Sequence, residues 1–177
     1  MKKYLLLGVA FFIVSVVAFS AFKQINKSSR ASRLGCQKEV VVFERIYEPT
    51  KITLLHDLIS KKVAKISLKA EKSNYMKTRL FEFVDPNQVQ ENIIQTFGLT
   101  NSENAKDLGL QVLLYENDKL DPGKKNDEAK KYAGYLVFDF YAKNQLIYKI
   151  QLDFMDLQGK DIAKRIDCAK QSLQTLN

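Results

Sequence analysis

Apolar and charged positions divide the chain into three stretches. Tyr4 to Phe22 is an unbroken uncharged run behind Lys2 and Lys3. Residues 23–35 are basic, serine-rich and nearly free of large apolar side chains. From residue 36 to residue 177, apolar and polar residues recur at the spacings of strands and helices.

Within residues 36–177, Lys38 to Tyr47 is rich in β-branched and aromatic residues and reads as a strand. Pro49 and Thr50 open a helix whose apolar stripe is Ile52, Leu55, Ile59 and Val63. Ala64, Ile66, Leu68 and Ala70 alternate with polar residues, as in a strand with one buried face. Glu71 to Asn74 reads as a turn, and Tyr75 to Val84 as the return strand. Asp85-Pro86 suits a helix start, because Asp caps and Pro fits the first helical position. Val89, Ile93 and Phe97 form that helix's stripe, and Gly98 ends it. Leu108 to Glu116 is apolar enough for a central strand. Asn117 to Lys131, with Asp121-Pro122-Gly123 and many charges, reads as a mobile, solvated surface loop. Tyr132 to Ala142 and Leu146 to Met155 form a hairpin turning at Lys143-Asn144-Gln145. Gly159 breaks the second arm. Lys160 to Leu176 is a closing amphipathic helix. The expected fold is α+β: a largely antiparallel mixed sheet with helices on one face, preceded by one hydrophobic helix.

The N-terminal run sets the expected location. As a helix at roughly 1.5 Å per residue it would span about 28 Å, close to the hydrocarbon thickness. It reads as a signal-anchor over residues 4–22 that holds the protein in the inner membrane with its domain in the periplasm. A cleaved signal peptide, cut after Ala18-Phe19-Ser20, is the second choice and leaves a soluble periplasmic protein. Lys23, Lys27, Arg30 and Arg33 favour the inverted topology under the positive-inside rule, so a cytosolic domain is the competing reading. Leu34-Gly35-Cys36 has the end of a lipobox, but Arg33 occupies a position that should be apolar, and lipidation is rejected.

The chain has 177 residues, of which 46% are hydrophobic and 27% charged, in keeping with one globular domain beyond the N-terminal stretches. Its net charge of +8 is spread along the chain without a long single-sign block, which fits a solvated lysine-rich surface. The two cysteines, Cys36 and Cys168, flank the domain. In an oxidising compartment they are expected to form a disulfide tying its ends together, worth up to about 5 kcal/mol in the chain-entropy account.

No catalytic constellation is legible, and no catalytic, cofactor or metal residues are assigned. His56 is the single histidine and reads as structural. The glycines form neither a P-loop nor a dinucleotide fingerprint. Glu44 with Glu48, and Asp153 with Asp156, are carboxylate pairs expected to face outward on strands. Asn117, Asp118, Asp121, Asp127 and Glu128 cluster, but without the order of a calcium loop. Aromatic residues crowd the hairpin, and Tyr135, Phe138, Phe140, Tyr141 and Tyr148 are the candidate partner-binding residues. The hairpin 132–155 and its edge are the expected docking surface.

The strand LQVLLYE (110–116), the hairpin YAGYLVFDFYAKNQLIYKIQLDF (132–154) and the helix IAKRIDCAKQSLQTL (162–176) together resemble the auxiliary periplasmic domains of ABC-type lipid transport systems. That resemblance implies a mixed sheet with flanking helices that docks onto envelope transport partners without catalysis. This chain departs from the family's pattern by lacking a lipidation cysteine.

The functional expectation is a non-enzymatic, membrane-anchored periplasmic scaffold or accessory protein. It would bind other proteins of a cell-envelope assembly, such as a flagellar motor or secretion machine, without cofactor or nucleic acid. Three alternatives accompany it. One is an auxiliary component of lipid transport, which predicts an apolar cleft under the sheet. Another is a hydrolase joining His56 to a serine and an acid. The last is a cytosolic basic domain that binds nucleic acid, if the topology is inverted.

Overall fold

The structure is a computed structural model that describes residues 34–124 and 126–177. The expected anchor over residues 4–22 and nearly all of the basic tether lie outside the described residues. No helix among the described residues is long and apolar enough to cross a membrane.

Six strands form one mixed sheet: β1 (Val42–Ile46), β2 (Val63–Glu71), β3 (Thr100–Asn101), β4 (Leu108–Glu116), β5 (Gly134–Ala142) and β6 (Gln145–Phe154), in the spatial order β1-β6-β5-β4-β2-β3. The helices are α1 (Gly35–Lys38), α2 (Ile52–Ser60), α3 (Pro86–Phe97) and α4 (Ile162–Gln174). Three strand pairs are antiparallel, while β2 runs parallel to both β3 and β4.

The helices cover one face of the sheet. Leu108, Leu110, Val112 and Leu114 of β4 are buried, as are Leu136, Phe138, Phe140 and Ala142 of β5. Against them pack Leu55 and Leu58 of α2, Ile93 and Phe97 of α3, and Ile166 and Leu173 of α4. The Phe97 ring lies 6.0 Å from that of Phe138 and 5.8 Å from that of Phe140. At about 25 cal/mol per Å² of apolar surface removed from water, this layer is the main source of stability.

Local chemistry sets several boundaries where the sequence places them. The Asp85 side chain accepts from Asn87 N at 2.9 Å and caps α3, with Pro86 at its first position. Gly98 ends α3 at φ 65°, where a side chain would be strained. The β5–β6 turn places Lys143 and Asn144 at φ 48° and 66°, both positive, as a two-residue hairpin loop requires.

Three expectations need correction. The segment from Tyr75 to Val84 is not a return strand, and over it only Leu80–Glu82 forms a short 3₁₀ turn. β3 pairs with β2 only at Val63 and Ala64, and the amides of Ser73, Asn74, Tyr75, Arg79 and Leu80 go to the Glu116 and Asp118 side chains instead of to a strand ladder. The sheet is therefore less antiparallel than expected, since β2 reaches β4 through a crossover that contains α3. Second, Lys38 to Tyr47 is a strand only over β1. Before it, Gln37 Oε1 accepts from Leu34 N at 3.1 Å and Gln37 Nε2 donates to Ser172 Oγ at 2.9 Å, which closes a helical turn against α4. Third, Asn117 and Asp118 are buried rather than solvated, and Asp127–Lys130 of the same loop forms a 3₁₀ turn.

Cys36 and Cys168 are joined, with Cα atoms 5.7 Å apart and a sequence separation of 132. The bond ties α1 to α4, and Cys168 is fully buried in the core. Reduction is expected to lower unfolding stability by about 3–5 kcal/mol and to raise the denaturant m-value as the unfolded chain expands. Urea titration with and without reductant measures both quantities.

Candidate functional site

No helix among the described residues covers the sheet face opposite α2, α3 and α4, and the residues of that face follow from the strand register. At one end Glu71, Tyr115, Tyr135 and Asp153 pair in a row across β2, β4, β5 and β6. The next row is Lys69, Leu113, Val137, Gln151 and Phe43. Beyond it lie Ser67, Gln111, Asp139, Lys149 and Arg45, with Lys149 Nζ and Asp139 Oδ1 3.1 Å apart. Paired residues share a face because side chains alternate along each strand. Leu113, Tyr115, Tyr135 and Val137 are half-buried, and Phe43 is 63% exposed.

A groove of about 450 Å³ opens at the tyrosine end of this face. Tyr115, Tyr135, Gln151 and Asp153 come from the sheet, Val41 and Phe43 from the β1 side, and Asn126, Ala129 and Tyr132 from the loop between β4 and β5. The Tyr115 and Tyr135 rings stack at 4.6 Å between centroids. Lys124 Nζ stands 5.8 Å from the Tyr115 ring centroid. It donates to Asn117 Oδ1 and, at 2.8 Å, to Asp118 O.

Buried polar groups hold the groove's loop wall in place. Asn117 Nδ2 donates to Ala129 O at 2.8 Å and to Tyr132 O at 2.9 Å, and Asn117 N donates to Ala133 O at 2.9 Å. Asp118 Oδ2 accepts from Asn74 N and Tyr75 N, each at 2.6 Å. Glu116 accepts from Arg79 N at 2.7 Å, Leu80 N at 2.9 Å and Ser73 Oγ at 3.1 Å. These two carboxylates satisfy amides that a strand partner would otherwise have to meet.

The electrostatics at the groove are set by burial. Burial pushes the Tyr135 phenol up to about 12, and the nearby Tyr115, Glu71 and Asp153 add to the effect. The Tyr115 phenol is raised as well, by burial first and then by Asp118. Both phenols are therefore neutral at physiological pH. Asp153 is only 4% exposed, and burial raises its carboxyl above the usual value of 3.8, partly offset by Gln151. Its hydrogen-bond partner is Gln151 Nε2 at 3.0 Å, and no cation among the described residues pairs with it.

The candidate partner-binding residues fall on opposite sides of the sheet. Tyr135 lines the groove. Tyr141 lies on the same face at the far end, beside Gly109 and Asn144. Phe138, Phe140 and Tyr148 are instead buried beneath the helices, where the Phe140 and Tyr148 rings stack at 5.8 Å. Alternation along the strand separates the two sets, so the five cannot form one surface. Nor does the hairpin present an edge, because β5 lies between β4 and β6, and β6 between β5 and β1.

Neither carboxylate pair stands outward on a strand surface as expected. Asp153 is buried at the groove, while Asp156 Oδ1 accepts from Gln158 N at 2.8 Å in a turn. Glu44 turns toward the helix side, where its Oε2 accepts from Tyr148 Oη at 2.9 Å and from Gln37 Nε2 at 3.2 Å. His56 Nε2 lies 3.1 Å from Leu173 O and links α2 to α4, away from the groove. No cluster of three or more metal-ligating side chains occurs among the described residues.

Sequence reasoning did not single out Tyr115, Phe43 or Lys124, and weighed Asp153 only as half of a carboxylate pair and Asn117 only as part of a calcium-like cluster. The signal for Tyr115 is its phase, since it stands out of step with Leu110, Val112 and Leu114. Comparison with protein-family models, with curated proteins and with solved structures gives no match for this chain.

Glu116 tests the support of the site. Burial pushes its carboxyl up, but the Thr78 hydroxyl and the backbone N–H groups of Arg79, Leu80 and Ser73 outweigh it and hold it below the usual 4.5. The folded state therefore binds this proton less readily than the unfolded state. The resulting stabilisation is full above pH 4.5 and is lost as pH falls through the lower folded value. Glu116→Ala is expected to cost about 3 kcal/mol at neutral pH, because it strands buried donors. Glu116→Gln should flatten the acid limb of the stability curve. Chemical denaturation across pH reads both effects.

Proposed function

We propose that the chain is a non-enzymatic accessory protein of the cell envelope, held in the inner membrane by residues 4–22, whose periplasmic α+β domain binds other proteins of a larger assembly. The observation that carries this reading is the sheet face that no helix among the described residues covers, where Phe43, Tyr115 and Tyr135 line a groove and Leu113 and Val137 stand in the adjoining row. Aromatic residues concentrated on an uncovered patch are the usual anchors of protein interfaces. The docking surface is thus the open face of the sheet rather than the hairpin's edge.

The joined Cys36 and Cys168 support an oxidising compartment, where such bonds persist. Inner-membrane attachment rests on the uncharged run from Tyr4 to Phe22. The lipid-transport reading calls for an apolar cleft between sheet and helices. That layer is occupied by Phe97, Phe138, Phe140, Leu55 and Ile93, all buried. Protein binding on the opposite face is therefore favoured.

Two measurements on intact cells test the reading. Thiol trapping should find Cys36 and Cys168 oxidised; free thiols shielded from an impermeant reagent would reverse the topology. A photo-crosslinking residue replacing Phe43 should capture envelope proteins, whereas one replacing Phe83 should not. Phe83 is 59% exposed and lies beside α3 and the start of α4, on the helix side, so it serves as the control. Equal capture at both positions, or none at Phe43, would remove the docking face.

A further inference from the structure

Beyond a docking face, the groove carries a mark of what it binds, and the inference rests on the docking reading above. Asp153 lies in the groove at 4% exposure, with Gln151 Nε2 on one carboxylate oxygen and no cation of the described residues beside it. An ionised carboxylate out of water is costly unless a positive group compensates it. The cation already in the groove, Lys124, is committed to Asn117 Oδ1 and Asp118 O. Asp153 pairs with Tyr135 across β5 and β6, and Tyr135 stacks on Tyr115, so the carboxylate ends a shelf of two aromatic rings. Phe43, on the β1 side, adds a third ring near the mouth. Aromatic faces beside a buried carboxylate form a receptor for an organic cation.

We propose that this groove receives an arginine side chain of the docked partner, with the guanidinium over the Tyr115–Tyr135 shelf and hydrogen-bonded to Asp153. Arginine fits better than lysine for three physical reasons. The guanidinium stays charged when desolvated, whereas an ammonium loses its proton readily. It is planar and stacks on aromatic faces. Its parallel N–H groups bind a carboxylate in a fork. The methylene stem would run along Phe43 while the head reaches the carboxylate. The groove volume of about 450 Å³ lies within the range of ordinary ligand sites, roughly 300–1,000 Å³.

The test uses the full-length protein in non-ionic detergent micelles, titrated with an acetylated, amidated Gly-Gly-Arg-Gly-Gly peptide and followed by NMR. The lysine peptide and the neutral citrulline peptide are run beside it. Saturable shifts at Tyr115, Tyr135, Gln151 and Asp153 are expected with arginine, weaker ones with lysine and none with citrulline. Asp153→Asn should weaken arginine binding about tenfold or more while keeping the native spectrum. Tyr135→Leu should weaken it less. Equal shifts with citrulline, an unaffected Asp153→Asn, or no saturable response would each overturn the proposal. Lysine binding as tightly as arginine would overturn the choice of arginine. If Asp153→Asn fails to fold, the arginine–citrulline comparison on the unmodified chain decides. A peptide that fails while the Phe43 crosslink persists removes only the arginine occupant; loss of the crosslink as well removes the docking face.

Discussion

A buried backbone amide must find an acceptor, and at the end of β4 that need falls on two carboxylates. Glu116 and Asp118 take the donors of Ser73, Asn74, Tyr75, Arg79 and Leu80. The crossover from β2 to α3 can therefore leave the sheet without a strand partner. That departure lets β4 pair with β2 in parallel and puts β4 in the middle of the sheet. An acid that closes an apolar strand, as Glu116 does, looks like a misfit in one dimension. In three dimensions Glu116 is the acceptor for a neighbouring segment, and its ionised form is the one the fold prefers.

The same strand end shapes the groove. Asn117 lies between the two carboxylates in sequence and anchors the return loop through Ala129, Tyr132 and Ala133. With the loop fixed there, Ala129 and Tyr132 form one wall, while Val41 and Phe43 stand on the β1 side. Gly134 opens β5 where a Cβ would come within 2.1 Å of Tyr115 O and 2.5 Å of the Phe154 ring. Its bare backbone keeps Tyr115 and Tyr135 in register and stacked. Site and scaffold thus share their determinants, since the groups that satisfy the crossover also fix the groove's loop wall.

At the other end of the domain, the Cys36–Cys168 bond and Gln37 hold the first turn against α4. Gln37 joins Ser172 on the helix to Glu44 on β1, and Glu44 also accepts from Tyr148 in the core. This polar contact sits on the helix side of β1, opposite Phe43. One face of the edge strand therefore helps tie the terminus down, while the other is left to the groove.

Much of the fold was legible in the residues themselves. Period-two alternation marked β2 and β6, the apolar density of β4 marked a central strand, and Asp85, Pro86 and Gly98 bounded α3, because each of these signals is local. The cysteine pairing followed from their places at either end of the domain. What the sequence could not show was which strand lies beside which. The residues from Tyr75 to Val84 carry strand-like composition, yet the amides of Tyr75, Arg79 and Leu80 are taken by the Asp118 and Glu116 side chains rather than by a strand. The hairpin aromatics read as one group, but the pleat sends Phe138, Phe140 and Tyr148 inward and Tyr135 and Tyr141 outward. The sequence by itself determined the α+β class, most element boundaries and the pair of cysteines. Only the tertiary structure decided that Tyr115, Tyr135 and Asp153 stand in one row, because strand register is a long-range choice made by packing and by the groups that satisfy the chain between the strands.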